Sequence, residues 1–77
     1  MTQPANVYYT DFRAHPGLNL QQKLQKLMIA AGFESMDLEK KFVAIKIHFG
    51  EPGNLSYLRP NYAKTVADEI KKQGGLP

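Results

Sequence analysis

Cysteine is absent from the 77 residues, and so is tryptophan. The first absence excludes disulfides, thiolate zinc sites and iron-sulfur ligation by any residue of this chain. The longest apolar runs fall far short of the ~20 residues that a membrane span requires. The opening Met1-Thr2-Gln3-Pro4-Ala5-Asn6 lacks the basic and apolar regions of a signal peptide. These absences predict a cytoplasmic protein without a membrane partner. Clustered charge is scarce as well: ten Lys and Arg against seven Asp and Glu leave +3, and the lysines touch only in adjacent pairs. No internal repeat, low-complexity tract or nucleic-acid motif accompanies that mild excess, so no nucleic-acid partner is expected.

The chain is too short for two domains. A domain of this size buries only roughly 60% of its unfolded surface, which leaves it marginal unless disulfides, a metal or a partner surface assist. The expected sources of the missing stabilisation are the remainder of the chain's own domain or a homo-oligomer.

Strand formers Val7, Tyr8 and Tyr9 predict a short first strand within 6–10, with residues 1–5 flexible before it and both tyrosines packed at a sheet. The turn-prone stretch 11–17 follows. Asn19 is suited to cap a helix whose Leu20, Leu24, Leu27, Met28 and Ala31 form one apolar face, and Gly32 is placed to end it. Met36 and Leu38 are expected to tuck against the neighbouring layer. The nearly continuous apolar run 42–49 looks like a strand covered on both faces, with Val43, Ile45, Ile47 and Phe49 on one side and Phe42, Ala44, Lys46 and His48 on the other. Pro60 suits the first turn of a second helix with a stripe of Tyr62, Ala63, Val66, Ala67 and Ile70, closed by Lys71, Lys72 and Gly74. The expected fold class is therefore α/β, a β-α-β-α unit with parallel strands and a right-handed crossover. Two parallel strands do not make a domain, so residues 1–77 read as a truncated part of a larger α/β domain. The alternative is a complete small α+β unit that dimerises through its sheet edge.

Ligands of open α/β sheets bind beyond the carboxyl ends of the strands, which directs attention to the loop from His48 to Pro60. Its Gly50 and Gly53 permit close backbone approach, and it feeds the amide-rich start of the second helix. Equally, the glycines can do no more than make turns, since Gly-x-x-Gly is neither a P-loop nor a dinucleotide fingerprint. Lys46, inside an apolar strand, calls for a carboxylate, a phosphate or open water nearby. His48 lies one pleat along and Glu51 follows, so the three offer a cation, a group that titrates near neutrality and a carboxylate. Snorkelling of Lys46 at a sheet edge is the competing view. Arg59 and Asn54 can clamp a carboxylate or phosphate, although Arg59 before Pro60 is also an ordinary extended loop residue. A metal set of Asp11, His15, His48 and Glu51 matches no zinc signature, and no metal is expected.

From Val43 to Asn54, with Arg59-Pro60 following, the sequence resembles the N-terminal portion of the domain-of-unknown-function 362 family. The Val7-Tyr8-Tyr9 opening and the helix end from Ala67 to Gly75 look like the same family, and Lys-x-His-x-Gly-Glu with its Gly-Asn loop is the most specific segment. The resemblance implies a longer parent protein, often with a C-terminal ferredoxin-like region carrying two [4Fe-4S] clusters. With no cysteine here, such clusters belong to the rest of the parent and none to this segment. The family's α/β domain is distantly similar to nickel-dependent lactate racemase domains, a likeness of fold and not of activity. Lys46, His48, Gly50, Glu51, Gly53 and Asn54 fall on the characteristic stretch. The expected function is one wall of a site for a small anionic ligand or substrate; the alternative is a non-catalytic binding or assembly module that oligomerises. A racemase-like or redox activity of the complete protein is a third possibility, and whether the protein is an enzyme stays open.

Overall fold

The computed structural model describes residues 3–77, so Met1 and Thr2 and the flexibility expected of them lie outside the described residues. Two helices carry the structure: α1, Leu20–Ala30, and α2, Pro60–Lys72, with a single 3₁₀ turn at Phe33–Ser35 between them. Asn19 caps α1 through a reciprocal pair of bonds. Its Oδ1 accepts from the Gln22 amide at 2.8 Å, and its own amide donates to Gln22 Oε1 at 2.7 Å. The helix ends where Gly32 takes φ 94°, a left-handed conformation that any side chain would disfavour. Pro60 opens α2 at a position where no intrahelical N–H is needed. A Schellman motif closes it, because the Gly75 amide reaches back to the Ile70 carbonyl and the Gly74 amide to that of Lys71, both at 2.9 Å.

The two helices pack on each other along the faces that the periodicity predicts. Leu20, Leu24, Leu27 and Met28 of α1 and Tyr62, Ala63, Val66 and Ala67 of α2 are half-buried, while Ala31 lies beyond the last turn and is exposed. Ile70, 2% exposed, is the one fully buried large apolar residue among the described residues. Around it the chain is stitched by three main-chain bonds. Lys40 N donates to Gly74 O (2.9 Å), Leu76 N to Lys41 O (2.8 Å) and Val43 N to Leu76 O (2.8 Å).

The last two of those bonds form one parallel bridge between Phe42 and Leu76, and it overturns the α/β expectation: the described residues contain no sheet. Segment 42–49 is extended, as its β-branched residues demand, but among the described residues it makes no further main-chain pairing along the rest of its length. Segment 6–10, exposed from Asn6 to Tyr9, pairs with nothing among the described residues, so they contain no strand-helix-strand crossover, and Tyr8 and Tyr9 pack at no sheet. The physical reason is that two short parallel strands bury too little surface to offset the ordering of their backbones. The period-two pattern survives in part. Val43 and Ile47 are half-buried, Ile45 less so, and Phe42, Ala44, Lys46, His48 and Phe49 face solvent. Met36 is exposed, contrary to its expected docking, whereas Leu38 is half-buried as expected.

Candidate functional site

Lys46 and His48 stand on the outward side of the extended segment, and both are exposed. Coverage on one face instead of two leaves the Lys46 ammonium in water, so it needs no buried counter-charge. Glu51 is exposed in the next loop.

That loop is organised by its own backbone. The Asn54 amide donates to the Glu51 carbonyl at 2.9 Å, closing a four-residue turn with Pro52 second and Gly53 third at φ 88°, the arrangement of a type II turn. Asn54 Oδ1 accepts from the Ser56 amide at 2.9 Å, so this oxygen is engaged within the loop. Gly50, at φ 100°, lies under the Tyr57 ring: a Cβ there would sit 3.0 Å from two ring carbons and 3.2 Å from the Asn54 carbonyl oxygen. Gly50 therefore lets the loop fold onto itself, while Gly53 borders open space and serves the turn.

Arg59 lies where the two helices begin. It shares a cavity of about 410 Å³ with Asn19, Leu20 and Gln21 at the start of α1 and Asn61 and Tyr62 at the start of α2. Neither helix has an acidic residue in its first turn, and Arg59 makes no ion pair among the described residues. The amides of Leu20, Gln21 and Asn61 fall in positions that have no intrahelical acceptor, and their dipoles add partial positive charge at both helix starts. Lys46, His48 and Glu51 do not line this cavity, so the structure separates the two groups of candidates.

Two features here carry no sequence signal. Lys23, its side chain 14% exposed, aims all three ammonium protons at the loop before α1: Asp11 Oδ1 at 2.5 Å, Arg13 O at 2.7 Å and Asp11 O at 3.0 Å. A mainly apolar cavity of about 220 Å³ lies beside it, bounded by Phe12, Leu20, Leu24, Leu58 and Tyr62. Between the helices, a polar groove of about 460 Å³ is lined by Gln22, Gln25, Thr65, Asp68, Glu69 and Lys72 among others. There Lys64 donates to Asp68 Oδ2 at 2.7 Å and holds that carboxyl below its ordinary range.

Asp11, His15, His48 and Glu51, the one combination considered for a metal, are not assembled: among the described residues no three His, Asp or Glu come together as a group that could hold a metal ion. Asp11 is instead held by Lys23, and His15 Nδ1 lies 3.1 Å from the Pro16 carbonyl oxygen. Among the described residues no helix is long and apolar enough to cross a membrane. Comparison of the chain with protein-family models, with curated proteins and with solved structures finds no match.

Proposed function

We propose that this chain supplies one wall of a binding site for a small anionic ligand, a carboxylate or a phosphate, centred where the two helices begin. The observation that carries it is the sharing of one cavity by Arg59 and the acid-free first turns of α1 and α2. A guanidinium offers two parallel donors to a carboxylate or phosphate, and the unbonded amides of a helix start offer single donors. Lys46 and His48, exposed on segment 42–49, do not line this cavity and make no contact with the ligand in this reading. The role is binding, with Arg59 the orienting residue. In the setting implied by the resemblance to the domain-of-unknown-function 362 family, the opposite wall comes from other polypeptide, and the clusters of the parent lie outside this chain.

The test uses the isotopically labelled 77-residue chain titrated with inorganic phosphate and, separately, with a short dicarboxylate. Saturable shifts of the Leu20, Gln21 and Asn61 amides are expected, with affinity about tenfold lower in Arg59→Ala, the loss of one charge-assisted bond. Unmoved amides at these three positions, or an Arg59→Ala variant that binds as well as the parent, would overturn the reading.

A further inference from the structure

We infer that two copies of this chain associate through segment 42–49, which pairs with itself as an antiparallel β-ribbon about a two-fold axis at Ile45. The surface area is the starting point. The chain exposes 6637 Å², against about 4,700 Å² for a compact monomer of 8.7 kDa, an excess of about 1,900 Å². Its radius of gyration is 14.6 Å where about 11.5 Å is usual for 77 residues. A standard interface takes about 800 Å² from each partner, so the excess is more than a stable dimer needs.

Segment 42–49 offers unpaired backbone groups and exposed side chains together. Lys41 O and Val43 N point toward Leu76. By the alternation of an extended chain, the N–H and C=O groups of Phe42, Ala44, Lys46 and His48 point to the opposite edge. Among the described residues, those groups have no main-chain partner. Phe42 and Phe49, 89% and 75% exposed, are large apolar side chains on this unpaired segment.

A second copy fits this edge by its pattern. With the axis at Ile45, Ala44 exchanges main-chain hydrogen bonds with the partner's Lys46, and Phe42 does so with the partner's His48. Val43 then stands opposite the partner's Ile47 on the helix-covered side. The lysines do not face each other; each long Lys46 side chain lies across from a small Ala44. Neighbouring symmetric registers fit less well, because an axis at Lys46 sets the two ammonium groups directly opposite.

Sedimentation equilibrium of the 77-residue chain at micromolar concentrations tests this, with exposed Ala44 as the probe. The parent is expected at twice 8.7 kDa. Ala44→Lys, which sets like charges opposite the partner's Lys46 twice per dimer, should weaken association about tenfold, while Ala44→Glu should hold or strengthen it. Helical circular dichroism of each variant monitors folding. A parent of 8.7 kDa, an assembly larger than two copies, or equal association of the Lys and Glu variants would overturn the proposal.

Discussion

Lys23 Nζ lies 2.5 Å from Asp11 Oδ1, a contact between a helix and the loop that precedes it, twelve positions away. The ammonium also bonds the Asp11 and Arg13 carbonyls, so one side chain organises the approach to α1. The Lys23 hydrogen bond, helped by the Arg13 amide, holds the Asp11 carboxyl below its ordinary 3.8.

A carboxyl whose folded value is depressed contributes stability that is present in full above the unfolded value and is lost as pH falls through the folded one. The parent should therefore lose stability relative to Asp11→Asn as pH drops below about 3.8. Asp68, depressed by Lys64, titrates with the same sign in both proteins and cancels in the comparison. Thermal melts of the pair from neutral to acidic pH check this, and a difference that does not change with pH would contradict it.

Gly75 and Gly53 should respond to alanine for different reasons. A Cβ on Gly75 would lie 2.7 Å from Ile70 Cγ2 and 3.1 Å from the Leu38 carbonyl oxygen. Gly75→Ala is expected to cost about 1–3 kcal/mol by overpacking against buried Ile70. Gly53 has open space around it but φ 88°, so Gly53→Ala costs about 1 kcal/mol through the backbone alone. Denaturant midpoints should rank Gly75→Ala below Gly53→Ala, and the reverse order would refute the assignment of Gly75 to the packed end of the fold.

Glu69, its side chain 4% exposed, accepts from Lys72 Nζ at 3.1 Å. Lys72→Met removes the cation while the half-exposed stem keeps its packing, leaving a buried carboxylate with a lost bond at about 1–3 kcal/mol. Adding Glu69→Gln should recover most of that loss. A double variant no more stable than Lys72→Met alone would show that the pair is not coupled.

Arg59 was legible as a ligand candidate because a guanidinium in a loop can clamp a carboxylate or phosphate, yet its neighbours were not. Asn19 and Gln21 stand some forty positions earlier in the chain, and only the packing of α1 on α2 brings them to the same cavity. Strand geometry groups Lys46 with His48, with Glu51 following in the loop, and that geometry needs a sheet to hold it. Without that sheet they are solvent-facing groups apart from the cavity. Lys23 gave no signal, since nothing in a helical lysine announces which distant carbonyls it will meet.

Local chemistry was enough to determine both helices. The Asn19 cap, the 3.6-residue stripes, Pro60 at the start of α2, and Gly32 and Gly74 at the ends are interactions within a few positions, so they are written in the order of residues. The absence of cysteine likewise excluded disulfides and thiolate ligands from these residues. Whether an apolar β-branched run becomes a sheet depends on neighbouring strands, a long-range property that residue order within the run does not encode. The tertiary structure decided it: segment 42–49 takes the strand conformation its residues prefer, meets Leu76 once, and leaves the remaining edge open.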